Sequence, residues 1–258
     1  MQYGLALSVI AVLVVFAGWR LVSGDRTTAE ASVSGGSGSA ALILDSHGQR
    51  AEATPLFARY RSLHLYLPMD PGSVTAVAFH QASGELAQAL ESLLPDADMT
   101  AAKASPASNR VTVETDSAGL PTLDGAALRM WRSNRSGQPD TAADIGAPAG
   151  SPVFSPVTGT VIEVRPYRLY DKHDDYEIHI QPSGWPEIDV VLIHVDEPTV
   201  KAGDPVFGGI TQVASVRLLS DRINHQLSTY TPDGGDHVHI QLNLMERPGL
   251  IGGIGGGS

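Results

Sequence analysis

The chain has no cysteine. Disulfides, thiolate metal sites and a lipid-modified N-terminal cysteine are therefore excluded, and any metal must be held by His, Asp or Glu. Positive charge is scarce as well: 17 Lys and Arg stand against 28 Asp and Glu, a net charge of −11. A nucleic-acid partner is not expected, because nothing here would neutralise its phosphates. Basic residues are also missing ahead of the first apolar run, Gly4 to Trp19; Arg20 and Arg26 follow it instead.

That run (GLALSVIAVLVVFAGW) is slightly shorter than the roughly 20 residues that span a bilayer with ease. Its place in the chain makes residues 1–22 an expected membrane anchor or export signal, formed as a hydrophobic helix. Read literally, the charges after it would hold the C-terminal side in the cytoplasm. A longer basic leader would remove that conflict. The expected location is the cell membrane with the folded part on the extracytoplasmic side, or secretion if the leader is cleaved. Residues 23–40 are small and polar and end in Ser-Gly-Gly-Ser-Gly-Ser, the composition of a flexible linker.

Residues 41–135 are expected to form a small α+β module. Ala41–Leu44 and Leu63–Leu67 read as strands, and Arg110–Thr115 alternates like one. Gly84–Leu94 has leucines at 86, 90, 93 and 94, a helical spacing that Pro95 would end. Thr100–Asn109 is Ala/Ser-rich and reads as a loop. His47, His64 and His80 are scattered, which suggests structural or solvated side chains.

From Asp140 the texture changes to short apolar runs punctuated by Gly and Pro. They include Pro152–Pro156, Gly159–Val164, Tyr176–Ile180, Asp189–Val195, Thr211–Leu218 and His237–Leu244. Such spacing predicts a mainly β domain over residues 140–245, a hairpin-rich sandwich or barrel. Six of the nine histidines lie here, so metal chemistry is expected in this half. Residues 246–258 are too Gly-rich to hold a fixed shape.

In a strand, His237 and His239 of Asp236-His237-Val238-His239 project to one face. Two imidazoles so placed can share one site, one binding a metal and the other handling protons or holding an oxyanion. His179, in a strand, and His225, in a polar loop, are weaker candidates. Asp171-Lys172-His173-Asp174-Asp175 reads as a charged loop.

Four segments, in order, resemble the lysostaphin/LytM-type zinc endopeptidase domain. Asp144-Ile145-Gly146 through Pro156-Val157-Thr158-Gly159-Thr160-Val161 is similar to its opening strand and P-x-x-G-x-V turn. Val191–Val195 is similar to the strand with its isolated catalytic histidine. Val200–Gly209 follows its V-x-x-G-x-x-V-x-x-G hairpin, and His237-Val238-His239 its closing H-x-H. The resemblance implies Asp144 and His239 as zinc ligands, and His194 and His237 as the groups assisting water and oxyanion. It places Asp140 where the family's first histidine ligand stands, four residues before Asp144. A site of Asp140, Asp144 and His239 would be richer in carboxylate, a poorer Lewis acid, and tilted toward harder metals. The function implied is metal-activated hydrolysis of peptidoglycan peptides at the cell wall. The alternative is a degenerate, non-catalytic module that binds peptidoglycan or regulates a wall hydrolase. A carrier or structural domain using the same hairpin without metal is a third reading.

Overall fold

The computed structural model describes residues 54–132, 135 and 137–245. The expected anchor, linker, first strand and Gly-rich tail, with His47, lie outside them. Among the described residues no helix is long and apolar enough to cross a membrane.

The chain is mainly β, as its alternating patterns predict. The first half contributes β1 (Leu56–Tyr60), β2 (Leu63–Tyr66), β3 (Ala76–His80), β4 (Glu91–Ser92), helix α1 (Met99–Ala104), β5 (Thr112–Thr115), β6 (Pro121–Asp124) and β7 (Leu128–Arg129). The second contributes β8 (Ala142–Gly146), β9 (Pro152–Phe154), β10 (Gly159–Leu169), β11 (His173–Pro182), β12 (Ile188–Asp196), β13 (Pro205–Val206), β14 (Gln212–Val216) and β15 (His237–Leu244). The main sheet runs β13-β10-β11-β12-β15-β8-β3-β7, with β14 joining the end of β12 to β9. Its neighbours are antiparallel except β3 and β7.

Alternation gives this sheet one apolar and one polar face. Val77, Phe79, Ala143, Ile145, Val238, Ile240, Val190, Leu192, Ile178 and Ile180 are all buried in the main core. The intervening residues on the central strands include His80, Asp144, His237, His239, Gln241, Asp189 and His179, and these are buried as well. A second apolar cluster of Ala76, Ala78, Ala102, Leu128, Met130 and Leu227 packs beside that polar row.

Two expectations for the first half are corrected. β3 is not part of a separate module: it pairs with β8 from Ala76↔Gly146 to His80↔Ala142, inside the sheet of the C-terminal half. Gly84–Leu94 is not a helix. Its backbone runs beside the end of β15, with Gln88 N donating to Leu242 O at 2.8 Å and Leu244 N to Leu86 O at 2.9 Å. That course buries Leu90 and Leu94 and leaves Leu93 exposed, so sheet pairing outweighs helical spacing. Conversely, α1 falls in the segment read as a loop. Asp98 caps it by accepting from Thr100 N and Ala101 N, and its alanines favour the helix.

Candidate metal centre and adjoining cleft

Three strands build the centre. Register places Ala78 of β3 opposite Asp144 of β8, and Asp144 opposite His239 of β15. His80 lies two residues beyond Ala78 and therefore on the same face. His80, Asp144 and His239 offer ligand atoms within 4.8 Å of one another, and all three are buried. His80 Nε2 lies 3.0 Å and His239 Nδ1 2.8 Å from Asp144 Oδ1. His237 Nε2 lies 3.6 Å from the other oxygen, Oδ2, to which Arg132 Nη2 donates at 3.1 Å.

The expectation that His80 is an unclustered histidine is thus corrected. Asp140 also differs from its expected place. It precedes β8 at φ 60°, and its carboxylate pairs with Arg129 Nη1 at 3.1 Å. The four-residue spacing to Asp144 would put both on one face only in a continuous strand, and the left-handed turn at Asp140 breaks that alternation. The third member of the group comes from β3 instead.

The hydrogen bonds define how the imidazoles face Asp144. His80 Nδ1 lies 2.7 Å from Gln81 O, and a carbonyl only accepts, so Nδ1 carries the hydrogen. The remaining His80 Nε2 is buried and has no hydrogen-bond partner of good geometry among the described residues, despite its 3.0 Å approach to Asp144. A neutral His80 therefore turns a lone pair toward a carboxylate, an arrangement that a cation between them would relieve. These residues fit a metal such as zinc, which takes imidazole nitrogen and carboxylate oxygen.

Burial alone would raise the Asp144 pKa, but the surrounding imidazoles of His80, His237 and His239 hold it well below the usual carboxylate range. Burial pushes His237 down to about 3 and His239 down to about 4, against the pull of Asp144. Both imidazoles are therefore neutral near neutral pH, as metal or proton acceptance requires.

His194 enters from β12 through a bulge. Tyr176 of β11 pairs with Val195 and Ile178 with Leu192, so one β11 residue faces two on β12. His194 is the extra residue, at φ 63°. Unbroken alternation would send it to the core with Leu192; the bulge re-aims it to the polar face. Its ring centroid lies 5.1 Å from that of His237 and 6.1 Å from that of His239.

These rings adjoin a cleft of about 340 Å³ lined by Trp131, Arg132, Tyr170, His194, His225 and His237, among others. Trp131 and Tyr170 stand exposed at its rim. His225, a weaker candidate in the sequence, packs edge-on against His237 with centroids 4.9 Å apart. Burial and the nearby His194 push its pKa down. Asp175 is not in a charged loop: it lies on β11, is 1% exposed, and its Oδ2 accepts from His194 Nδ1 at 2.8 Å. No local pattern marks His80, Arg132 or Asp175, because each joins the site through contacts between distant segments.

His179 belongs to a different group. Its Nδ1 lies 2.8 Å from Asp189 Oδ2 and its Nε2 3.4 Å from Glu177 Oε2, with Arg165 bonded to Glu177. Burial would lower the His179 pKa, but Asp189 and Glu177 raise it to about 9. Asp189 bears the opposing cost: burial beside Glu177 and Glu163 pushes its carboxyl up despite His179. The geometry makes this a charged buried pair, with the imidazolium favoured.

No protein-family model matches the chain, and no curated protein matches it significantly. Among solved structures, LytU is 21% identical, covering 48% of this chain and 72% of that one, with a TM-score of 0.33. A mutant catalytic domain of the prophage-encoded M23 protein EnpA from Enterococcus faecalis is 19% identical, covering 54% and 83%, with a TM-score of 0.33. The SpoIIQ–SpoIIIAH pore-forming complex is 16% identical, covering 70% and 86%, with a TM-score of 0.32. Likenesses this distant do not establish a family.

Proposed function

We propose that this chain is a LytM-like zinc metallopeptidase acting on peptidoglycan peptides, exported and tethered to the membrane by its N-terminal segment. The observation that carries this reading is the buried group of His80, Asp144 and His239 beside a cleft lined by His194 and His237. Zinc would be held by His80 Nε2, an Asp144 oxygen and His239 Nδ1. When bound, it would polarise a peptide carbonyl and lower the pKa of water at its open position.

The chain's own residues supply the rest. His237 Nδ1 donates to Gly235 O at 2.7 Å, so its neutral Nε2 can accept a proton. His194, also lining the cleft, is placed to take up a proton at Nε2 and pass it to the leaving amine. Arg132 holds the Asp144 oxygen that the two ligand imidazoles leave free. The exposed rings of Trp131 and Tyr170 offer apolar walls for a peptide.

A second reading has its own support. Arg132 already supplies Asp144 with a positive partner at 3.1 Å, which a module without metal would need. Such a module would bind wall peptides or regulate a wall hydrolase. Purified protein should contain about one zinc per chain and cleave cell-wall peptides, with activity lost to a chelator and restored by zinc. Protein that neither takes up zinc nor cleaves such peptides, yet binds them, would overturn the enzymatic reading in favour of the second.

A further inference from the structure

Asp175 gathers an unusual number of donors for one buried carboxylate. Its Oδ2 accepts from His194 Nδ1 at 2.8 Å, His194 N at 3.1 Å and Tyr167 Oη at 2.7 Å. Its Oδ1 accepts from Tyr176 N at 2.8 Å and Val195 N at 3.1 Å, and Arg217 Nε lies 3.3 Å away. Two of these donors are the backbone amides of His194 and Val195, the residues at and after the bulge. The same carboxylate therefore holds both the left-handed backbone at His194 and the ring it carries.

The chemistry of that ring follows. A carboxylate only accepts, so the bond to His194 Nδ1 requires the hydrogen on that nitrogen. Nε2 is then the unprotonated nitrogen of the neutral ring, left toward the cleft and its neighbours His237 and His225. Without a partner, an imidazole would exchange between its two tautomers and turn about χ2. Burial alone would raise the Asp175 pKa, but the bonds from His194 and Tyr167 outweigh it and keep the carboxyl below its ordinary value. The acceptor is thus ionised near neutral pH.

We propose that Asp175 is a positioning residue that locks His194 in the Nδ1–H tautomer and presents Nε2 to the cleft. The tautomer claim stands on this geometry alone; its consequence for rate rests on the hydrolytic reading proposed above. Asp175 does not touch substrate. It acts through His194, as a buried carboxylate does in a carboxylate–histidine pair.

The decisive measurement is nitrogen NMR of the intact, isotopically labelled protein, with His194 assigned by comparison with His194→Gln. The wild-type ring should show a protonated Nδ1 and a bare Nε2 when neutral. In Asp175→Asn the amide can turn its NH₂ toward Nδ1, so the Nε2–H form should appear while the signals of His179 and His80 stay in place. In Tyr167→Phe the Nδ1–H form should persist. A wild-type His194 found as the Nε2–H tautomer, or as an even mixture, would overturn the proposal without requiring any variant to fold. If zinc-dependent cleavage is present, Asp175→Asn should lower kcat about 100-fold with KM and zinc content unchanged. An unchanged kcat beside an altered tautomer would overturn the positioning role. Absence of cleavage in the wild type would count against the hydrolytic reading and leave the tautomer result to decide this one.

Discussion

His80 on β3 brings its Nε2 to 3.0 Å from Asp144 Oδ1 on β8, across an antiparallel pair that joins the two halves of the chain. The nearer carboxylate in sequence, Asp140, is committed to Arg129.

These two residues should separate cleanly in metal binding. His80→Ala is expected to weaken zinc affinity about 100-fold, because one of three protein ligands is lost. Asp140→Ala should leave zinc affinity within about threefold, since its loss affects only a partly exposed ion pair. Competition with a chromophoric chelator measures both. Equal losses in the two variants would restore Asp140 to the ligand set.

Asp144→Asn should destabilise the metal-free protein by about 3 kcal/mol. The change leaves Arg132 without its charged partner and puts an amide where three imidazoles approach, and the group is fully buried. Urea denaturation of the chelated protein is the test, and a variant as stable as wild type would contradict the buried network.

Stability of the metal-free protein should peak near pH 6.5. The His179 pKa is raised from 6.5 to about 9, so its contribution is complete below 6.5 and is lost as pH rises through 9. His237 and His239 are lowered from 6.5 to about 3 and about 4, so the unfolded chain binds more protons as pH falls below 6.5 and stability drops there too. His179→Gln should flatten the alkaline limb, removing on the order of 2 kcal/mol of pH dependence. Denaturation midpoints across pH 4–10 read both limbs.

Gly159→Ala should destabilise by about 3 kcal/mol. Gly159 pairs with Pro182 across β10 and β11, and a Cβ there would collide with the backbone carbonyl of Gln181. Thermal unfolding checks this, with Gly150→Ala as a comparison: it has a positive φ of 83° but open space around it, so it should cost less.

Sequence alone determined the alternating strands of the second half, the shared face of His237 and His239, and the absence of any thiolate site. These are local properties: strand alternation is a two-residue repeat, and composition needs no fold. Tertiary structure decided the rest. Only strand pairing places His80 beside Asp144, only a bulge turns His194 away from the core, and only the β11–β12 contact sets Asp175 behind it. The same pairing draws the leucines of Gly84–Leu94 out of their helical spacing and along β15. Contacts between distant segments depend on register and on burial of apolar area, which no short window of residues contains.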